Sequence, residues 1–290
     1  MAAAQALLDE VHEDLMADPR DNNTYALGRI GKHNVVIAGL PAGGYGLAPA
    51  AATATHLQRS FPAINIGLMV GIGGGVPSKD ADIRLGDVVI SKPTDKHGGV
   101  VQYDFVKAMS NGRIRMGMSD RPPSILHRTI SRMQATHLAH ARHVMDHVAA
   151  MNEKLGEYAT GFARPTQKDR LYLSDYEHVD AGSTDCDACD PRATVPRCPR
   201  DDNVPVFHYG TIASANTLLK NSKLRDELAQ EFGAQCVEME AAGLMNVFPC
   251  LVIRGICDYA DSHKNDKWQG FAASVAAAYT KELLLATRFE

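Results

Sequence analysis

Two carboxylates near the carboxyl end of the chain have a setting in which an enzyme could use them. Glu240 lies in the run Val237-Glu238-Met239-Glu240-Ala241-Ala242, which opens a helix of small residues. Asp258 ends the apolar run that begins at Cys250. In α/β enzymes, carboxylates at strand ends and helix starts line pockets, where they transfer protons or stabilise positive charge. The alternative is structural, because acidic residues also stabilise the first turn of a helix through its dipole.

A glycine-rich segment follows one of the most apolar runs of the sequence. Ile64–Val70 predicts a central strand buried on both faces, and Gly71-Ile72-Gly73-Gly74-Gly75 comes directly after it. Glycines let the backbone approach a ligand and present its N–H groups, so this segment is a candidate ligand-binding loop. It lacks the Gly-Lys-Ser/Thr of a phosphate loop, and Pro77 is unlike a dinucleotide-binding turn. A tight turn without a ligand is the alternative.

Alternating strand and helix patterns predict a single α/β domain over residues 1–290. Apolar residues at helical spacing from Leu7 to Leu15 predict an amphipathic first helix that ends near Pro19. Tyr25–Ile30 and Asn34–Leu40 predict a hairpin. A polar stretch at about 152–203 breaks the alternation and is predicted to be an insertion.

Within this insertion, Cys186 and Cys189 have the C-x-x-C spacing with which two sulfurs can bind one zinc ion. A second cysteine pair is lacking, and Cys198, His178 or His208 could complete the site. The alternative is a mobile excursion whose thiols bind no metal.

The composition excludes several classes of function. The chain has 290 residues, of which 45% are hydrophobic and 22% charged, as is typical of a globular protein with a sizeable core. A net charge of −4 and 6% aromatic residues argue against nucleic acid as a partner. No apolar run reaches the roughly 20 residues of a membrane span, and the N-terminus lacks the basic start of a signal peptide. Six dispersed cysteines are typical of reduced thiols, so we expect a cytoplasmic protein.

Five motifs together resemble the purine nucleoside phosphorylase / methylthioadenosine nucleosidase superfamily. In chain order they are Gly71–Gly75, Ile83-Arg84-Leu85-Gly86-Asp87-Val88-Val89, Ile212-Ala213-Ser214, Val237-Glu238-Met239-Glu240 and Cys257-Asp258-Tyr259-Ala260-Asp261. The resemblance covers residues 25–110 and 204–287 and is greatest to the nucleoside-phosphorylase-like domains of fungal NLR-like proteins. It implies a three-layer α/β fold of the phosphorylase/hydrolase type with a central mixed sheet.

This resemblance implies cleavage of the N-glycosidic bond of a purine nucleoside or nucleotide, with adenine compounds as the expected substrates. Asp258 matches the general acid that protonates the purine at N7, and Glu240 matches the carboxylate that binds the ribose hydroxyls and stabilises the cationic sugar. Met239 matches the residue that packs at the sugar. The positions predicted to bind substrate are Gly71, Gly73, Gly74, Ser214, Asn216, Leu218, Glu238, Met239 and Cys257.

Water rather than phosphate is the predicted nucleophile. The phosphorylases hold phosphate with an Arg and a Ser or Thr at the positions where this chain has Met69 and Ile72, whose side chains cannot bind it. The resemblance therefore implies a hydrolytic nucleosidase without a cofactor. A phosphate-dependent phosphorylase, with phosphate as co-substrate, is the alternative.

Departures from the family pattern keep a different class of function open. The family begins with a strand ending in a glutamate that orients the attacking water. This chain begins with Met1-Ala2-Ala3-Ala4, which resembles the following helix, so the sheet is predicted to lack its usual first strand. Ala215-Asn216 replaces Gly-Asp, and Leu218 replaces a residue that is often aromatic. A catalytically weak nucleoside-binding or signalling module is the alternative. Family members are usually dimers, trimers or hexamers, so a homo-oligomer is expected.

Overall fold

The computed structural model describes residues 1–16, 18–109, 112–118, 121–140, 143–180, 185–200, 202 and 204–288. The helices are α1 (Ala2–Ala6), α2 (Leu47–Ser60), α3 (Ser124–His140), α4 (His143–Leu155), α5 (Ser222–Phe232), α6 (Ala241–Met245) and α7 (Gln269–Ala286). The strands are β1 (Glu10–Val11), β2 (Tyr25–Ile30), β3 (His33–Ala38), β4 (Gly67–Gly75), β5 (Val88–Ser91), β6 (Val100–Met109), β7 (Gly112–Met118), β8 (Phe207–Ser214), β9 (Ala234–Glu238) and β10 (Cys250–Asp258). Strands and helices alternate strictly from β8 to α7, whereas β1–β3 and β4–β7 follow one another without a helix between them.

Among the described residues, seven strands form the central sheet, in the order β5-β10-β4-β9-β8-β6-β7. β10 runs parallel to β4, and β8 runs parallel to β5, β6 and β9. β4 is antiparallel to β9, and β5 is antiparallel to β10. Because β5 also pairs with β8, five of these strands close into a ring. The predicted α/β fold with a central mixed sheet is confirmed.

The three strands before β4 form a separate antiparallel sheet in the order β1-β2-β3. The predicted hairpin is confirmed, since residues 25–30 pair with residues 33–38. The predicted amphipathic helix is wrong beyond Ala6, because the chain turns into β1 and Glu10 of β1 pairs with Arg29 of β2. In the described part of the chain, β4 is therefore the first strand of the central sheet.

Helices cover the central sheet on both faces. α3, α4 and α7 form the largest core with β5 and β10, around side chains such as Leu126, Met151 and Tyr279. Met245 of α6 packs into the opposite core, and Leu228 of α5 packs over β8 and β9. α7 has ten buried residues, as its alanine and leucine content allows, because small and aliphatic side chains permit close approach to a sheet.

β4 has strand neighbours on both sides only at its carboxyl end. It pairs with β10 over residues 67–74 but with β9 only at residues 74 and 75. The remaining edge of β4 faces β3 across a cavity of about 1100 Å³, which Val36 of β3 and Leu68 of β4 help to line. Val70, predicted to be buried, is 36% exposed for this reason.

The polar segment predicted to be an insertion has little regular structure. Among its described residues, the chain forms the 3-10 helices Gly156–Phe162 and Pro191–Ala193 and an isolated bridge between Tyr172 and Thr194. Its assignment as an insertion in a single domain stays a prediction.

Candidate active site

Asp258 is the last residue of β10 and is 5% exposed. Its Oδ1 atom accepts a hydrogen bond from the backbone N–H of Ala260 at 2.8 Å. Ala260 has a φ of 53°, in the left-handed region that non-glycine residues rarely adopt. Strained backbone of this kind is concentrated at functional sites, and here it fixes the direction of a carboxylate.

A bulge in β10 brings Asp258 beside Gly74. Ile256 is in register with Gly73 and Asp258 with Gly74, so Cys257 is an extra residue in β10. A Cβ atom on Gly74 would lie 2.8 Å from Oδ1 of Asp258, which is too close for unshifted packing. The thiol of Cys257 donates to Oδ2 of Asp258 at 3.2 Å. Two residues predicted to bind substrate, Gly74 and Cys257, therefore contact the predicted general acid.

Lys264 forms an ion pair with Oδ2 of Asp258. Burial favours the neutral amine, but the charge of Asp258 outweighs this effect, and the pKa of Lys264 is raised above its ordinary value. The predicted acid therefore has a cationic partner that the sequence analysis missed. The signal was weak, because Lys264 follows Asp258 by six residues in a turn that contains other polar residues.

A second cluster of charges surrounds Arg254, in the middle of β10. The guanidinium is buried and donates to Glu238 and, at 3.2 Å, to Glu240. It also donates to the carbonyl of Ile72 at 3.2 Å. Burial alone would lower the pKa of Arg254, but the charges of Glu238 and Glu240 outweigh it and the pKa is raised. The sequence did contain a signal for this residue, because a charged residue inside a buried strand requires partners of opposite charge.

Glu238 and Ser214 hold the start of α6. The Glu238 carboxylate accepts from the backbone N–H groups of Glu240 and Ala241, each at 3.0 Å. Oγ of Ser214 accepts from the N–H of Ala242, also at 3.0 Å. These bonds satisfy helix N–H groups that have no partner within the helix. Contact of Glu238 and Ser214 with a substrate stays a prediction.

Glu240 reaches the cavity beside β4. Its side chain is 14% exposed and lines the space of about 1100 Å³ together with Arg254. Its Oε1 atom accepts a long hydrogen bond, 3.4 Å, from the N–H of Gly46. Oδ1 of Asn216 accepts from the N–H of Leu47 at 3.3 Å, so Glu240 and Asn216 both contact the start of α2. These weak contacts leave Glu240 more able than Glu238 to bind a ligand.

Two further predicted contacts, Met239 and Leu218, lie around this cluster. Met239 is partly buried at the turn between the two glutamates. Leu218 follows the end of β8 and is 53% exposed. The backbone N–H of Asn216 donates to Asp104 at 2.7 Å, which fixes the chain leading to Leu218. Their contact with sugar and base stays a prediction.

The glycine-rich segment is a strand, so its prediction as a loop or turn is wrong. Gly71–Gly75 is the carboxyl half of β4 and continues the pairing with β10. Its glycines make room for neighbouring side chains, because a Cβ on Gly71 would overlap the guanidinium of Arg254. A Cβ on Gly73 would lie 2.9 Å from the carbonyl of Val237. Gly71, Gly73 and Gly74 therefore allow the charged residues of the site to sit against the sheet.

Three of the candidate zinc ligands also come together, away from Asp258 and Glu240 in the sequence. The possible ligand atoms of His178, Cys186 and Cys189 all lie within 4.8 Å of one another. Cys198 is exposed and His208 contacts a buried aspartate, so neither belongs to this group.

A family model shows where this fold and these motifs belong. The model of the phosphorylase superfamily matches residues 4–287. This chain belongs to the phosphorylase superfamily. The chain is 45% identical over 287 residues to a nucleotide-binding leucine-rich repeat (NLR)-like protein of Hyaloscypha variabilis. The aligned residues cover 98% of this chain and 28% of that protein. The resemblance inferred from the five motifs is confirmed.

Two further relatives of this phosphorylase-superfamily chain are named as nucleosidases. It is 27% identical over 244 residues to the ATP nucleosidase Cap17 of Escherichia coli, covering 81% of this chain and 38% of that protein. It is also 27% identical over 262 residues to a 5'-methylthioadenosine/S-adenosylhomocysteine nucleosidase of Mycobacterium bovis, covering 89% and 82%. The chain thus spans well under half the length of the NLR-like protein and of Cap17.

Solved structures show the same fold as this superfamily member. The 5'-methylthioadenosine/S-adenosylhomocysteine nucleosidase of Helicobacter pylori superimposes with a TM-score of 0.60 at 16% identity, covering 97% of this chain and 91% of that chain.

None of the helices in the described residues combines the length and the apolar character needed to cross a bilayer.

Proposed function

We propose that this chain is a nucleosidase that hydrolyses the N-glycosidic bond of a purine nucleoside or nucleotide, with adenine compounds as substrates. The observation that carries the proposal is a buried Asp258 paired with an ammonium group, together with Glu240, a carboxylate that reaches a large cavity. The names of two relatives, an ATP nucleosidase and a methylthioadenosine nucleosidase, support this class of substrate.

The proposed reaction assigns a different task to each acid. Breaking the bond leaves a positively charged sugar and a purine that must gain a proton. Glu240 binds the sugar hydroxyls and stabilises the positive charge, while Arg254 and Glu238 hold it in position. The Lys264 ammonium gives a proton to the Asp258 carboxylate, which passes it to N7 of the purine, so that Lys264 is left as the neutral amine. Water attacks the sugar carbon, and the proton that it loses returns through solvent to the Lys264 amine.

Water is favoured as nucleophile by what surrounds Arg254. A phosphate ion needs a cation to hold it, and the guanidinium already donates to two glutamates. The thioether of Met69 lies 3.5 Å from the same guanidinium and offers phosphate no hydrogen-bond donor. The backbone carbonyl of Ile72 accepts a hydrogen bond from the same guanidinium, and a carbonyl offers phosphate no donor either.

Product analysis tests the reaction. Adenosine, methylthioadenosine, AMP and ATP are each incubated with the protein, with and without inorganic phosphate, and free adenine is measured by liquid chromatography. We expect adenine from at least one substrate in the absence of phosphate. Strict dependence on phosphate would replace hydrolysis by phosphorolysis, and no adenine under any condition would exclude both.

Asp258→Asn tests the proton donor. We expect kcat to fall by about 10²–10⁴, the usual contribution of a general acid, with little change in KM. Asp80→Asn is the matched control, because Asp80 is exposed on the surface. If Asp258→Asn retains the native rate while folding normally, another group protonates the base.

A second candidate is a module that binds adenine nucleotides without cleaving them. The likeness to an NLR-like protein, of which this chain covers 28%, supports this alternative, because a domain of a larger protein can act by binding alone. Calorimetric titration with adenosine and ATP distinguishes the two, since saturable binding with no adenine released supports the module and release supports the nucleosidase.

A further inference from the structure

The polar segment between α4 and β8 contains a compact group of soft metal-binding side chains. His178, Cys186 and Cys189 place one possible ligand atom each within 4.8 Å of the others. In a tetrahedral zinc site with Zn–S of about 2.3 Å and Zn–N of about 2.0–2.1 Å, ligand atoms lie roughly 3.5–3.8 Å apart. The three groups therefore need to move by only about 1 Å to share one ion.

A tight turn aims both sulfurs at the same point. The backbone N–H of Cys189 donates to the carbonyl of Cys186 at 3.2 Å, so the two residues are held at either end of one turn. Both side chains are buried, with 6% of Cys186 and 3% of Cys189 exposed, and neither forms a disulfide. A C-x-x-C turn with converging thiols is the arrangement that supplies two of the ligands in many zinc sites.

The hydrogen bonds of His178 place the lone pair of its ring on Nδ1. Nε2 lies 2.7 Å from the carbonyl oxygen of Asp185, and a carbonyl only accepts, so Nε2 carries the proton. Nδ1 then has the lone pair, which now accepts from the N–H of Asp180 at 3.2 Å. Metal-binding histidines commonly donate their second N–H to a backbone carbonyl in this way.

Charge and surroundings both suit a divalent cation. Two thiolates and one neutral imidazole balance the charge of Zn²⁺, so the loaded site is neutral and can be buried without an uncompensated charge. Tyr172 packs against both cysteines.

We propose that His178, Cys186 and Cys189 bind one Zn²⁺ ion, with water as the fourth ligand. Binding releases the two thiol protons to solvent and forms two Zn–S bonds and one Zn–N bond. None of its three protein ligands is one of the proposed catalytic acids.

This zinc site connects the polar segment to the turn that follows β10. The backbone N–H of His178 donates to Oγ of Ser262 at 3.0 Å. The ring of His263 stacks on Tyr172 with a centroid distance of 3.8 Å. Since Lys264 comes next in the same turn, an ion at His178 stiffens the segment that presents Lys264 to Asp258.

Metal analysis of the complete chain tests the proposal. The protein is purified with a phosphine reductant and without chelator or added metal, and its zinc content is measured by mass spectrometry. We expect about one zinc per chain, and Cys189→Ser should reduce this to nearly none. Cys198→Ser is the matched control, because this exposed cysteine lies outside the site. X-ray absorption at the zinc edge of the native protein should show two sulfur ligands at about 2.3 Å and lighter ligands at about 2.0–2.1 Å.

Three results would overturn the zinc site. The first is a reduced native chain that contains no zinc and takes up none from one equivalent of zinc chloride. The second is a loss of zinc in Cys198→Ser as large as that in Cys189→Ser. The third is an absorption spectrum without sulfur ligands, which decides the question even if the cysteine variants fail to fold.

Discussion

Arg254→Met should be far more destabilising than the loss of a single arginine on the surface. The substitution keeps most of the side-chain volume but leaves Glu238 as a buried carboxylate without its cation. Removing one partner of a buried ion pair costs about 3–5 kcal/mol. Glu240 is partly exposed and regains some hydration, so Glu238 sets most of this cost. At about 2 °C for each kcal/mol in a chain of this size, the melting temperature should fall by about 6–10 °C.

The assay uses the single tryptophan, Trp268, which is buried and reports urea unfolding by fluorescence. Arg254→Met combined with Glu238→Gln should recover at least half of the lost free energy of unfolding, because the neutral amide can still accept from the N–H groups of α6. Arg29→Met is the matched control, since its pair with Glu10 is about half exposed and should contribute less than about 1 kcal/mol. The reasoning is refuted if Arg254→Met costs no more than this control, or if the double variant is no more stable than Arg254→Met.

Three further predictions follow from single contacts. Lys264→Met should reduce kcat/KM by about 10², because Asp258 loses the ammonium that supplies its proton; a native rate contradicts the proposed proton path. Gly74→Ala should reduce kcat by about 10² by displacing the Asp258 carboxylate, whereas Gly161→Ala, which meets open space, should not; equal rates for the two variants refute this. Asp87→Asn should destabilise by about 3 kcal/mol at about pH 7. Burial opposes the Asp87 charge, but a histidine and an arginine outweigh it and lower the pKa of Asp87 below its ordinary 3.8. The stabilising effect is therefore fully present above pH 3.8 and disappears as the pH falls through the lowered pKa, so the melting curves of the two proteins should diverge as the pH rises through this range.

The predictions that succeeded rest on local patterns. The alternation in residues 25–38 was enough to identify the hairpin, and the small residues after Glu240 were enough to place α6. Asp258 was placed correctly at a strand end because a run that is apolar except for Arg254 precedes it. In each case, neighbours in the sequence determine the backbone conformation.

The features that sequence reasoning missed depend on distant neighbours. Gly71–Gly75 has the composition of a turn, but its glycines fit a strand crowded by Arg254 and by residues of β9. The run from Leu7 to Leu15 has a helical period, yet β1 forms because β2 offers an edge to pair with. Tertiary contacts decide the conformation of these two segments, and local propensity alone does not predict it.

The gap between β3 and β4 affects how this chain behaves in concentrated solution. In the part of the chain that the structure describes, backbone groups on the facing edges of β3 and β4 have no strand partner, and apolar side chains line the space between them. Both edges are held apart, β3 by β2 and β4 by β10, so the gap does not close by collapse. Exposed edges of this kind are templates for intermolecular sheets. Aggregation of this chain should therefore be driven by extended segments of its own unfolded molecules, and a net charge of −4 offers little electrostatic repulsion against it.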